Sequence, residues 1–258
     1  MKKRPLILVC NDDGITAPGI RILIEIMNTL GDVVVVAPDN PRSGMGHAIT
    51  VNTTLTCNPT KVDNGPQKEY SCSGTPADCI KMAVHQILKR KPDLCVSGIN
   101  HGANSSINVI YSGTMSAAVE AGIESIPAIG FSLLDYSWDA DFTPAKPYVK
   151  NLAEQVLKNG LPEGVVLNVN IPKLAKTAIK GVKVSRQARG NWKEVFDKRV
   201  SPQGEDYYWL TGEMVNLDHG KDTDLWALEN GYISVVPVMF DMTAYRFLGE
   251  LNNWNFSN

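Results

Sequence analysis

The chain has 258 residues, 43% hydrophobic and 20% charged, with 21 Gly, 15 Pro and 5 Cys; this globular composition excludes disorder, collagen and coiled coil, and the length allows one or two domains. The 25 basic residues against 27 acidic ones leave a net charge of -2, so no positive surplus exists to neutralise a nucleic-acid backbone, and nucleic-acid binding is not expected. Nor is a membrane partner expected, because no apolar stretch approaches the roughly 20 residues of a span; Met1-Lys2-Lys3-Arg4 imitates the start of a signal peptide, but its apolar run stops at Asn11-Asp12-Asp13.

Leu6-Ile7-Leu8-Val9-Cys10 and Val33-Val34-Val35-Val36-Ala37 are continuous apolar runs, as parallel strands covered on both faces require. Between them Ile20, Leu23, Ile24, Met27 and Leu30 form one stripe of a helix that Pro18 opens and Gly31 ends. Strand, helix and strand make a βαβ unit. From 48 to 71 the pattern changes: Ile49, Val51 and Leu55 stand among threonines, followed by Asn64-Gly65-Pro66 and Tyr70, which reads as a hairpin. Pro76 opens a helix carrying Ile80, Ala83, Val84, Ile87 and Leu88, Asp93 to Val96 is a short buried strand, and a Gly/Ser/Asn-rich loop runs from Ser97 to Ser112. A helix of small residues from Thr114 to Ala121, a strand around Ala128 to Phe131, a helix from Tyr148 to Leu157 and a strand from Val165 to Ile171 follow.

The sheet is expected to extend to about residue 172, giving an α/β core over 1–172. Beyond it come short extended pieces at 182–185 and 207–210, a helix at 223–229, a strand at 232–238 and a C-terminal helix from Thr243. This extension, 173–258, is too ragged for an independent domain. The five cysteines are an odd, scattered set without a Cys-x-x-Cys pair, which indicates neither a disulfide framework nor a zinc site and points to a reducing, cytoplasmic compartment.

In an open parallel sheet, ligands bind beyond the carboxyl ends of the strands. Three polar loops qualify: Asn11-Asp12-Asp13-Gly14, Pro41-Arg42-Ser43-Gly44 and Ser97-Gly98-Ile99-Asn100. Adjacent carboxylates near a buried strand end repel each other unless a cation or hydrogen bonds compensate. Carboxylate, hydroxyl and amide oxygens suit Mg2+ or Mn2+; the alternative is that Asp12 and Asp13 only cap the helix that follows. Tyr111-Ser112-Gly113-Thr114 precedes a helix, so its free N–H groups form either an anion seat or an ordinary N-cap at Ser112 or Thr114. Ser73 to Asp78 reads as mostly structural, with Thr75 capping the helix at Pro76. His47, His85, His101 and His219 show no ligand spacing. Gly44-Met45-Gly46 lacks the third glycine of a dinucleotide fingerprint, and no phosphate-loop motif occurs. Trp226 and Trp254 are expected at a core edge or subunit contact.

Asn11 to Gly14, Pro41 to Thr50 (PRSGMGHAIT), Ser73 to Cys79 (SGTPADC), Ser97 to Asn104 (SGINHGAN) and Tyr111 to Glu120 (YSGTMSAAVE) resemble, in order, the SurE family of survival proteins. Asn168 to Pro172, Thr223-Asp224 and Gly231 to Ser234 extend the resemblance into the tail. It implies a Rossmann-like, mostly parallel sheet with a C-terminal β-hairpin and helix extension exchanged between subunits of a homodimer or homotetramer. The implied activity is a metal-dependent 5'/3'-nucleotidase that hydrolyses nucleoside monophosphates and trims short polyphosphate. Carried over, the resemblance gives one divalent ion (Mg2+ or Mn2+) per subunit on Asp12, Asp13, Ser43 and Asn100, with Asp12, Asp13 and Asn100 catalytic; Ser112, Gly113 and Thr114 are read as the phosphate seat. The sequence departs from the family at Ser105-Ser106-Ile107-Asn108, where many members carry a glycine and acidic residues.

Two rivals explain less. A phosphoacceptor receiver also begins with a strand ending in two aspartates, but occupies about 120 residues and leaves Asn100, Ser112 and the tail without a role. A haloacid-dehalogenase-type phosphatase needs Asp-x-Asp, and Gly14 stands where its second aspartate belongs. A nucleotide-binding protein without turnover is the third alternative.

Overall fold

The computed structural model describes residues 4–256, so Met1 to Lys3 of the basic start lie outside it. Strands β1 (Leu6–Cys10), β2 (Asp32–Pro38), β3 (Cys57–Thr60), β4 (Lys68–Cys72), β5 (Leu94–His101), β6 (Ala128–Leu133), β7 (Val165–Ile171), β8 (Val182–Val184) and β11 (Ile233–Met239) form one sheet in the order β3-β4-β2-β1-β5-β6-β7-β11-β8. The central strands from β4 to β7 run parallel. Alternation within each apolar run feeds two cores. Ile7 and Val9 of β1 pack with α1 (Pro18–Asn28) and α4 (Lys146–Asn159); Leu6, Leu8 and Cys10 face α2 (Pro76–Met82) and α3 (Gly113–Ile123). With both faces covered, a strand needs no polar side, which is why these runs read as continuous.

From β1 the chain continues to β2 on one side, while β5 lies on the other. This change of direction opens a crevice at the carboxyl ends of β1 and β5, the position where open α/β sheets bind ligands.

Three expectations need correction. The strand read as ending at Val96 continues to His101. Its polar half reads as loop from its Gly, Ser and Asn content, yet it pairs with β6 after a register shift between Ser97 and Asn100. There Gly98 adopts φ +119°, and a Cβ on it would lie 2.3 Å from the Phe131 carbonyl oxygen, so only glycine fits. The sheet also does not stop at 172: β11 pairs antiparallel with β7 from Ser234↔Asn170 to Met239↔Val165, and β8 lies parallel to β11. The extension thus closes the edge of the core. Finally, Cys57 and Cys72 are joined by a disulfide, whereas Cys10, Cys79 and Cys95 are free and buried. The antiparallel register of β3 and β4 sets Cys57 directly opposite Cys72, a proximity that spacing alone does not reveal.

The tail also carries a second sheet, a ribbon of β9 (Gly190–Val200) and β10 (Asp206–Asn216), followed by α5 (Asp224–Glu229) and, after β11, α6 (Tyr245–Leu251). The ribbon is exposed along most of its length, including Val195, Phe196, Tyr208, Trp209 and Leu210. Its first strand lies outside the extended pieces expected from sequence. Trp226 stacks on Tyr232 at 6.3 Å, and Trp254 is exposed with its ring edge-on to Phe247. Among the described residues no helix is long and apolar enough to cross a membrane.

Candidate active site

Asp12, one residue past β1 and the Asn11 that follows it, is buried at 4% exposure. Thr114 Oγ1 donates to its Oδ1 at 2.5 Å. Burial, and then the neighbouring charge of Asp13, hold its carboxyl up at about 6, against the opposing pull of the Thr114 hydrogen bond. Asp12 stands at the start of α3, where the helix dipole and free N–H groups favour negative charge.

One cavity of about 440 Å³ brings Asp12 together with Ser43, Asn100 and Ser112. Both N–H groups of the Asn100 amide are spent on backbone carbonyls, at 3.2 Å to His101 and 2.9 Å to Gly102, which turns Oδ1 away from them. Asp13 is not on the cavity wall but beside it: its Oδ2 accepts the His101 backbone N–H at 3.4 Å and lies 3.1 Å from His101 Nδ1. His101, for which sequence spacing gave no role, lines the cavity with a buried Nε2 that meets no partner among the described residues. Its signal is three-dimensional, since Asp13 is 88 residues away.

The loop bearing Ser43 is tied down along its length. Arg42 N–H donates to the Asp12 carbonyl at 2.7 Å and Gly46 N–H to the Tyr111 carbonyl at 3.0 Å. His47 Nε2 sits 2.7 Å from the buried Glu120, which Lys81 also meets at 2.6 Å; these partners hold Glu120 below the usual carboxylate range despite burial. Thr50 donates from N and Oγ1 to Asp78 at 3.0 and 2.7 Å, and Thr75 Oγ1 donates to the Ala48 carbonyl at 2.7 Å. Thr75 and Asp78 form a capping box on α2, so the Ser73–Asp78 motif is structural here while anchoring a site loop.

The segment after Asn100 is fixed from the other side. Asn104 N–H donates to Asn170 Oδ1 and its Nδ2 to Ser132 Oγ, both at 2.8 Å, while Asn168 Nδ2 donates to the Asn104 carbonyl at 2.8 Å. Ser106 has φ 55°, a left-handed conformation that favours glycine. Its N–H donates to Asp224 Oδ2 at 2.7 Å, and the same buried carboxylate accepts from Ala188 at 2.9 Å. Trp192 Nε1 donates to Asn108 Oδ1 at 2.7 Å.

The three residues of the expected phosphate seat separate. Ser112 faces the cavity while its Oγ caps α3 by accepting Met115 N–H at 3.0 Å. Gly113 and Thr114 are buried behind it, against Asp12. A buried carboxylate, an amide oxygen and a hydroxyl make an all-oxygen donor set, and the charge that burial and Asp13 disfavour on Asp12 suits a hard divalent cation.

A family model described as Survival protein SurE matches residues 7–194. The chain is 68% identical over 258 residues to a protein of Christiangramia forsetii named 5'-nucleotidase SurE, covering 100% of this chain and 99% of that one. It is 67% identical over 254 residues to the protein of the same name from Flavobacterium psychrophilum, covering 98% and 99%. The crystal structure of the SurE protein from Aquifex aeolicus matches the fold with a TM-score of 0.83 at 40% identity, over 96% of this chain and 98% of that one.

Proposed function

This chain belongs to the SurE family, and we infer that it is a 5'-nucleotidase: a phosphomonoesterase that hydrolyses nucleoside monophosphates to nucleoside and phosphate. We further propose that it depends on a metal, accepts 3'- as well as 5'-esters and short polyphosphate, and works in the cytoplasm as a homodimer or homotetramer. The observation that carries the reading is the gathering of Asp12, Ser43, Asn100 and Ser112 on one cavity at the start of α3.

Asp12, Asp13, Ser43 and Asn100 would hold the cation, Mg2+ or Mn2+. When bound, such an ion supplies positive charge to the phosphoryl oxygens and makes water more acidic. Asp12 serves as general base: Thr114 fixes the carboxylate through Oδ1, and its carboxyl, raised to about 6, takes a proton from the attacking water. Water oxygen bonds to phosphorus in line with the ester oxygen, the ester bond breaks, and solvent protonates the leaving alkoxide. Asp13 and His101 orient each other, and Ser112, on the cavity wall at the start of α3, receives nonbridging oxygens.

The test is phosphate release from 5'- and 3'-nucleotides, polyphosphate and simple phosphomonoesters, with Mg2+, with Mn2+ and after chelation. Metal-dependent release, highest with nucleoside monophosphates, is expected. Binding without release would leave only a nucleotide-binding protein.

A further inference from the structure

The cavity at Asp12 continues past its catalytic end. Gly44, Tyr111 and Trp192 line it and also line a second cavity of about 520 Å³, whose opposite wall is the β9–β10 ribbon at Glu194, Leu210 and Gly212. The two spaces therefore form one groove running from the carboxylate of Asp12 to the ribbon. Gly44, at the passage between them, has open space where a Cβ would stand.

The walls of the outer space set the rings of Tyr111 and Trp192 and the side chain of Leu210 beside the polar Glu194 and Thr211, and the aromatic residues are held by bonds outside the groove. Trp192 is pinned through Nε1 to Asn108, on the same segment that Asp224 clamps at Ser106. Tyr111 has its backbone carbonyl tied to Gly46 N–H while its side chain stays half exposed at 49%, and Leu210 is 63% exposed. Aromatic faces held in place yet left to water gain free energy when a flat partner covers them. A phosphomonoester whose phosphate lies at Asp12 can direct its alcohol portion past Gly44 into this outer space, where Tyr111 and Trp192 line both cavities.

We propose that the space between Tyr111 and Trp192 is the nucleobase site, with the base stacked on the Trp192 ring, the sugar passing Gly44, and the ribbon serving as a specificity element of the enzyme. This rests on the nucleotidase reading, and it assigns a role in base binding to Asn108. Asn108 is a positioning residue, acting through the indole of Trp192.

The experiment compares kcat/KM for adenosine 5'-monophosphate with that for ribose 5-phosphate, which has the same phosphate and sugar but no base, in the full-length metal-loaded enzyme. Wild type should favour the nucleotide. Trp192→Ala should lower the ratio about tenfold, chiefly through KM, and Trp192→Phe, which keeps a stacking face, should restore it to within about threefold. Asn108→Ala should give an intermediate ratio. A ratio unchanged in Trp192→Ala, including an equal loss on both substrates, overturns the base site and leaves Trp192 a structural residue. Wild-type enzyme that releases phosphate from both substrates without preference also overturns the base site and spares the phosphatase reading. Release from neither overturns both.

Discussion

Gly113 stands directly against Asp12: a Cβ at position 113 would lie 2.7 Å from Asp12 Cβ and 2.9 Å from its Oδ2. The glycine thus lets α3 begin close enough for Thr114 to reach the carboxylate. Gly113→Ala is expected to displace Asp12 and lower kcat about a hundredfold, as misplacement of a catalytic group does. Thr114→Ala removes one hydrogen bond and should cost about tenfold. Because both act through Asp12, the losses should be equal for purine and pyrimidine monophosphates. A loss confined to one base class would detach this turn from the phosphate end of the site.

Asp12→Asn and Asp13→Asn should each abolish metal-dependent phosphate release with the fold intact, whereas Ser43→Ala and Asn100→Ala weaken metal binding less because water can replace a neutral ligand. Titration calorimetry with Mn2+ and steady-state rates at limiting metal check this ranking.

Metal-free stability carries a second signature of Asp12. Its carboxyl is raised from 3.8 to about 6 in the folded protein, first by burial and then by Asp13, so the folded state binds the proton more tightly than the unfolded state. The group's contribution is therefore fully favourable below about pH 4 and is lost as pH rises through about 6. A shift of this size corresponds to about 3 kcal/mol. Asp12→Asn should raise the Tm of chelator-treated protein at about pH 8, and the gain should vanish toward pH 4. A Tm difference independent of pH would show that the carboxyl does not titrate in this range.

The extension is expected to pack against a neighbouring subunit through the exposed apolar residues of the ribbon and α6, among them Phe196, Trp209, Tyr245 and Trp254. Sedimentation of the full chain should give a dimer or tetramer. A stable, active monomer would refute this assembly. Truncation after residue 172 should aggregate, since it removes β11 and uncovers the β7 edge along six paired residues.

Thiol titration in denaturant should find three free cysteines in the oxidised protein and five after reduction. Cys79 and Cys95 should stay unreactive in the native fold, because burial pushes both thiols well up. Reduction should lower stability by up to about 3 kcal/mol for a loop of this length, measured as a Tm shift that Cys57→Ser reproduces. Five reactive thiols without reductant would mean that the bridge does not form.

The elements that bury two faces were legible in the sequence: the apolar runs of β1 and β2 and the stripe Ile20, Leu23, Ile24 and Met27 appear where they were expected. Elements set by distant partners were not. β9 has no buried face to impose alternation, and the polar end of β5 is strand because β6 pairs with it. In the site, Asp12, Ser43 and Asn100 were readable as oxygen donors on converging loops, and the cavity unites them. His101 and Trp192 were not, because their partners Asp13 and Asn108 lie 88 and 84 residues away.

The hydrogen bond from Ser106 to Asp224 spans 118 residues, which makes competence for hydrolysis a late event in the life of each molecule. On the ribosome the strands through β7 are complete long before residue 224 emerges, but the turn at Ser106 then lacks the carboxylate that holds its left-handed backbone. A nascent chain carries Asp12, Asp13, Ser43 and Asn100 without the clasp that shapes the loop beside them. Phosphate release is therefore expected only once the polypeptide is almost fully made, and a product terminated before Asp224 is expected to be idle.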